Sequence, residues 1–242
     1  TLYGVNSTVL DFNNRIVNQT EAMQNNLNLA GGQLKSYDGN ALVEQGFNYP
    51  PNTLFAAQGT GSTGPFESTK TYNYVAVYSW TDIQGNVFKS ALSAQSSVTC
   101  TAAVTSVSVN IPPLLLSQKT DPYVELYRTE GNGSVFYKTM GDSSNTLDQT
   151  SKPIINTTDG VDYLLFIDQT SDAKLIANEL LYTEGGEVEN VSPPSNSILA
   201  SFKNRLFLAG LENKLELRYS KIVEANTGIG FNDTFSIIMT GL

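Results

Sequence analysis

Between residues 71 and 80 the chain reads TYNYVAVYSW, and this alternation constrains the fold more than any other stretch. Tyr72, Tyr74, Ala76, Tyr78 and Trp80 fall on one side of an extended chain, and Asn73, Val75, Val77 and Ser79 on the other. Aromatic and β-branched residues at period two build a strand, not a helix. The pattern then recurs in short pieces. A turn at 82–86 leads to strands at 87–89 and 95–99, and Val107, Val109 and Ile111 line one face of a further strand that Pro112-Pro113 ends. Residues 123–129 and 135–140 read as a hairpin, with Gly131, Asn132 and Gly133 as positive-φ turn residues. Residues 162–168, DYLLFID, are one more strand, and Thr170 or Ser171 caps a short helical turn after it.

A second β unit follows in residues 197–222, SILASFKNRLFLAGLENKLELRYSKI. Two apolar runs, 198–202 and 206–211, are too short for helices and are divided by Lys203-Asn204-Arg205. With the alternating run 215–219 they read as a strand pair plus a third strand, the start of a meander. A fragment of three strands is marginal in water, so these ribbons call for more sheet or a partner chain. The last residues, FSIIMTGL, read as the middle of a structure, and the expectation is a piece of a longer polypeptide.

The rest is less regular. Residues 1–34 are Asn-rich; a helical reading of 21–29 is weakened by its Asn residues, and Gly31-Gly32 breaks the chain. Turn chemistry stands at Asp38-Gly39 and a stop at Pro50-Pro51. Residues 56–69, AAQGTGSTGPFEST, read as a linker, 142–160 as a polar loop, and 183–194, TEGGEVENVSPP, as a second linker. The fold class is therefore all-β. An N-terminal segment and linker (1–69), partly irregular, precede a β-sandwich domain (70–182), argued from the spacing of strands and turns. A linker (183–194) leads to an incomplete β-meander (195–242).

Composition narrows the chemistry. The 242 residues contain no His, which removes Ser-His-Asp and Cys-His nucleophile systems and ordinary zinc and non-haem iron sites. An enzyme here would run on carboxylates, Lys or Tyr. The single Cys100 forms no intrachain disulfide and reads as a small buried apolar residue. Formal net charge is −9, and the 14 basic residues are scattered. Such a surface does not grip phosphates, but nucleic acid could slide past it without sticking. No apolar run approaches the ~20 residues of a membrane helix, and six N-x-S/T sequons are no more than an Asn- and Thr-rich chain produces.

The candidate sites are weighed against structural duty. Asp82, Asp168, Asp172 and the Glu184, Glu187, Glu189 cluster are the available carboxylates, and turn or cap duty is the commoner use of each. Asp168 with Asp172, or Asp82 with Asn86, offers oxygens for calcium without matching an EF-hand loop. The glycines of EGNGS precede no helix, so a hairpin turn outweighs a phosphate cradle. The row Tyr72, Tyr74, Tyr78, Trp80 suits either a sugar-stacking platform or a core, and core is the commoner use. No catalytic, cofactor-binding or metal-ligating residue is assigned, and no cofactor.

YNYVAVYSWTDIQGNVFKSALSAQSSVT resembles the last two strands of fibronectin type III-like sandwiches, and YVELYRTEGNGSVFYK their central hairpin, though in reversed order. This supports the fibronectin III/Ig-like sandwich class without its topology. A wider resemblance runs through YDGNALVEQGF, YNYVAVYSWTDIQGN, VELYRTEGNGSVFYK, FIDQTSDAKLIANELLYTEGGEVENVSPP and SFKNRLFLAGLENKLELRYSK, across about residues 36–222. In that order these segments look like tail proteins of tailed bacteriophages, nearest to the tail nozzle, or tubular protein B type, of short-tailed phages. The resemblance implies a longer protein whose 195–242 region begins a propeller-like antiparallel β region. It implies copies in a ring, six in the nozzle type, below the portal and adaptor and near the fibres, around a channel for DNA. It transfers no catalytic residue.

The expectation is a structural virion protein of a phage tail, not an enzyme, assembled in the host cytoplasm, with DNA passing without specific binding and no membrane insertion. The alternative is a receptor- or glycan-binding tail or adhesin module, and the third a carboxylate-based glycan hydrolase.

Overall fold

The computed structural model describes residues 19–52, 54–139, 154–155, 162–181 and 190–240. The strands in chain order begin with β1 (Thr20–Met23), β2 (Asn26–Leu29), β3 (Lys35–Tyr37), β4 (Leu42–Glu44) and β5 (Phe55–Gln58). Next come β6 (Thr71–Thr81), β7 (Val87–Lys89), β8 (Ser96–Thr99), β9 (Val107–Ile111), β10 (Tyr123–Thr129) and β11 (Phe136–Lys138). After β12 (Ile154–Ile155) and β13 (Leu164–Asp168) stands the single helical turn α1 (Asp172–Leu175). The last strands are β14 (Ile198–Phe202), β15 (Arg205–Ala209), β16 (Glu216–Ser220) and β17 (Phe231–Ile238). They form four sheets, and all their pairings are antiparallel. The orders are β1-β2-β3-β4; β11-β10-β6-β7, with β8 on β6 and β12 on β10; β13-β9-β5; and β14-β15-β16-β17.

The alternation at 71–80 produces the long central strand β6. Tyr72, Tyr74, Ala76, Tyr78 and Trp80 share one cluster with Val107, Val109 and Ile111 of β9 and Leu164 and Phe166 of β13. The opposite side of β6 is buried as well: Val75 and Val77 pack with Tyr127 and Leu181. A third cluster joins Ala30 and Leu34, from the N-terminal part, to Leu199, Leu206, Leu208 and Phe231 of the last sheet. Here Gly31 and Gly32 both donate from their N–H groups to Asn196 O, at 2.9 and 3.1 Å. The first and last sheets thus share a core although some 170 residues of sequence lie between them.

Turn geometry explains where expectation and structure part. Residues 21–29 are a hairpin and not a helix. Gln24 (φ 54°) and Asn25 (φ 61°) are both left-handed, which reverses the chain in two residues and fits the twist of the flanking strands. Lys203 (φ 47°) and Asn204 (φ 55°) do the same between β14 and β15, and Arg205 already opens the second strand. In the β10–β11 turn only Asn132 (φ 61°) is left-handed. Gly131 serves close approach instead, since a Cβ there would stand 3.1 Å from both Lys70 Cβ and Tyr72 Oη.

Residues 56–69 also differ from a flexible linker. Their first three belong to β5, which pairs with β9 from Phe55↔Asn110 to Gln58↔Val107. A Cβ on Gly64 would lie 2.1 Å from Val104 O, so this glycine lets one backbone press on another. Phe66 then bridges to Val104 and is fully buried. Of the linker 183–194, only 190–194 lies within the described residues, and Val191 there bridges to Phe231. The polar loop at 142–160 lies outside them except for β12.

Candidate functional site

Each polar tip of the aromatic row reaches a fixed partner. Tyr72 Oη accepts from Glu67 N–H (2.9 Å), Tyr74 donates to Asp168 (3.0 Å), Tyr78 to Pro112 O (2.8 Å), and the Trp80 indole to Thr120 O (3.0 Å). Trp80 also packs on Phe88, with ring centroids 5.4 Å apart. Burial with satisfied polar tips makes these rings rivets between segments, and it withdraws them from any sugar-stacking surface. Cys100 is fully buried, and burial pushes its thiol up, away from nucleophilic use.

Asp82, Asp168 and Asp172, the carboxylates named from sequence that lie among the described residues, are engaged by protein groups. Asp82 Oδ1 accepts from Gln84 N and Asn86 N (2.9 and 2.8 Å), and Oδ2 from the Asn26 and Asn86 amides (2.7 and 2.9 Å). It therefore fastens the β6–β7 turn to the β1–β2 hairpin. Asp168 and Asp172 do come together, but around Arg128. The guanidinium Nε lies 2.9 Å from Asp168 Oδ2, a charge contact outside hydrogen-bond alignment, while Nη1 donates to Asp172 Oδ1 at 3.0 Å and Nη2 to Thr170 O at 2.8 Å. The guanidinium sits between the rings of Phe66 (4.8 Å) and Tyr72 (5.2 Å). Asp172 Oδ2 takes the Gly131 N–H (2.9 Å), so one cation ties β10, the β10–β11 turn, β13 and α1 together. Burial works against the Arg128 charge, but Asp168, Tyr74 and Asp172 outweigh it and raise the guanidinium further. The Arg128 cation already stands between Asp168 and Asp172, one of the two pairs weighed for calcium, and in the other Asn86 donates to Asp82. Glu184, Glu187 and Glu189 lie outside the described residues. Among the described residues, no group of three or more His, Cys, Asp or Glu side chains is placed to hold a metal ion.

Two further buried acids were not singled out from sequence. Glu125 lies 2.8 Å from Lys89 Nζ and 3.4 Å from Lys138 Nζ; burial would raise its carboxyl, and the two lysines outweigh that and hold it low. Glu44, on β4, pairs with Lys119 at 2.9 Å and accepts from Ser117 Oγ and Gln118 N. Burial would raise Glu44 too, but Lys119 and these hydrogen bonds keep it below its usual value. Lys119 Nζ also donates to Glu44 O (2.7 Å) and stands over Phe47 (5.0 Å) and Trp80 (5.4 Å). Burial drives its pKa down to about 8, with Glu44 pulling it partly back.

This shift has a definite sign. Between pH ~8 and ~10.5 the unfolded chain keeps a proton on Lys119 that the folded chain has lost, so this group's contribution to stability rises with pH in that window. An NMR titration of the Lys119 side chain is expected to show a midpoint near 8; a midpoint above 10 contradicts the burial account.

One face of the last sheet carries exposed apolar side chains on several strands. Cross-strand pairing puts Ile198, Ala200 and Phe202 of β14 opposite Ala209, Phe207 and Arg205 of β15. Phe207 in turn faces Tyr219, and Leu217 faces Ile237. These residues lie opposite the core-facing set Leu199, Leu206 and Leu208. Phe207, Tyr219 and Phe235 form a ladder across three strands, with centroids 5.8 and 5.3 Å apart and the last two rings parallel within 3°. Arg205 lies over Tyr219 and Phe235, and Lys203 over Phe202. Phe202 is 62% exposed, and Ile198 and Ile237 are 49% exposed each. Val191 bridges to Phe231 at the start of β17, and beyond it the outer edge pairs with no named strand among the described residues, with Ile238 and Met239 exposed. An unpaired edge of this kind is a template for pairing.

Compared with protein-family models, with curated proteins and with solved structures, the chain matches none of them.

Proposed function

We propose that the chain is a structural subunit of a phage tail, of the nozzle or tube kind, which assembles into a ring forming part of the conduit for DNA ejection. The observation that carries this reading is the exposed apolar face and open edge of the β14–β17 sheet, a surface built for coverage and not for chemistry. The finer fold belongs to the same reading. The shared core of the β6/β10 and β5/β9/β13 sheets supports a fibronectin III/Ig-like sandwich, and a four-stranded meander is the blade unit of propellers.

The interior chemistry supports it too. Asp82, Asp168 and Asp172 act as fasteners, which disfavours a carboxylate hydrolase built on them. Burial of the Tyr72–Trp80 row disfavours a glycan-binding module built on those rings. An acidic chain repels DNA phosphates, as a conduit wall requires.

Native mass spectrometry of the purified chain tests the reading. The expected species is a definite multiple of the 26.2 kDa subunit, six for the nozzle type. A lone subunit that hydrolyses a polysaccharide overturns it.

A further inference from the structure

We propose that the inner face of the first sheet is a calcium site formed by side-chain oxygens of Asn26, Asn28, Ser36 and Asp38. The placement follows from the strand register. Asn28 faces Ser36 across β2 and β3, and one step further along the same ladder Asn26 faces Asp38. Residues two apart on a strand share a face, so the four side chains mark out a rectangle on one side of the sheet. Its edges are about 5 Å across the strands and about 7 Å along them, measured between Cβ atoms. The centre is then about 4 Å from each Cβ, within the span of a short side chain plus one Ca–O bond of about 2.4 Å. The face is closed to solvent: Asn26, Asn28, Ser36 and Asp38 are 4, 0, 3 and 3% exposed, and Val43, opposite Ser36 on β4, packs into the core around β6.

Three of the four carry a buried oxygen that takes no hydrogen bond from the protein: Asn26 Oδ1, Asn28 Oδ1 and Ser36 Oγ. The amide nitrogens of the two Asn side chains are already committed, to Asp82 Oδ2 at 2.7 Å and to Glu21 O at 3.3 Å, so the oxygens are the free ends. Asp38 Oδ1 accepts from the N–H groups of Asn40 and Ala41, whereas Oδ2 takes only a long bond from Ile83 N, at 3.3 Å. Among the described residues, neither Asp38 nor Asp82 is in an ion pair. Buried acceptors without donors and buried carboxylates without a cation are both unfavourable. A bound cation relieves both, and water only the first. The donors are all oxygens, which selects a hard cation, and an irregular mixture of amide, hydroxyl and carboxylate suits Ca²⁺ better than the strict octahedron of Mg²⁺. The set holds one carboxylate, so it lies outside the groups of three or more His, Cys, Asp or Glu excluded above. An ion here clamps β2 to β3 beneath the β6–β7 turn and ties the first sheet to the sandwich core.

Thermal unfolding and isothermal titration calorimetry of the EDTA-treated chain test the proposal. Calcium chloride at about a hundredfold above Kd is expected to raise the melting midpoint by roughly 5 °C or more, and the titration to show one site per chain. The side-chain amide resonances of Asn26 and Asn28 should move as calcium is added. Asp38→Asn keeps the turn acceptor and removes the charge, and Asn28→Leu removes one ligand oxygen; each is expected to weaken calcium binding by at least about tenfold. The comparison of the wild-type chain with and without calcium stands even if a variant fails to fold. An acidic chain also gathers calcium weakly on its surface, so a midpoint shift that both variants retain overturns the site. So does a midpoint that is the same in EDTA and in millimolar calcium, the result expected if water alone fills the seam, or one that magnesium or sodium raises as far as calcium does.

Discussion

Arg128→Met is expected to lower the stability of the chain by about 3–5 kcal/mol, because it leaves the fully buried Asp168 carboxylate without its cation. At about 2–4 °C per kcal/mol for a chain of this size, the midpoint of thermal unfolding should fall by roughly 10 °C or more. The loss goes beyond one ion pair. Thr170 O and Asp172 Oδ1 each lose the donor that Arg128 supplies, and the slot between Phe66 and Tyr72 loses the flat group that fills it. Lysine is no substitute, since a point charge on a flexible stem cannot reach both carboxylates and Thr170 O while stacking between two rings. Adding Asp168→Asn to Arg128→Met should recover part of the loss by removing the orphaned charge. Urea unfolding of the single and double variants checks this. A loss below about 1 kcal/mol for Arg128→Met would show that water or rearrangement neutralises Asp168.

Trp80→Ala should cost a similar amount, about 3–5 kcal/mol, through the cavity it leaves. Trp80 is 4% exposed, packs on Phe88, lies beneath Lys119 and donates to Thr120 O. Its removal also leaves that carbonyl unsatisfied and Lys119 with one ring fewer. The same substitution separates two functional readings. If Trp80 rivets the core, its loss appears in the melting curve. If Trp80 were a stacking platform for a sugar, the melt would barely move and glycan affinity would fall. The expected result is the first, measured by calorimetry of both proteins.

Legibility in the sequence followed the range of the forces. β6, β7 and β10 could be read residue by residue, because period-two alternation is local and each strand ends at a turn residue. The β14–β15 hairpin was equally plain from Lys203-Asn204. The β1–β2 hairpin was not: Gln24 is no habitual left-handed residue, and the Asn positions argued against every regular structure at once. β5 was hidden by composition, since the glycines beside it look like linker residues. Their purpose, close passage over Ser106 and Val104, depends on contacts some 40 residues away.

The site was legible only in outline. Asp168 and Asp172 were visible as a pair, but the cation joining them comes from Arg128, 40 and 44 residues earlier in sequence. Arg128 does carry a local signal, since it follows Val124 and Leu126 at period two and so falls on their inward side. Lys119 and Glu44 carry none: each sits among polar neighbours, and only the tertiary fold brings them together. The sequence reads the last region as ribbons needing completion, whereas the ladder of Phe207, Tyr219 and Phe235 emerges only once the register is fixed.

On the proposed reading this chain works by shape, through surfaces its neighbours cover. Negative-stain imaging of the purified chain at micromolar concentration tests it most directly. Closed rings of uniform subunit number around a channel wide enough for duplex DNA are expected. Isolated single particles at every concentration would contradict it.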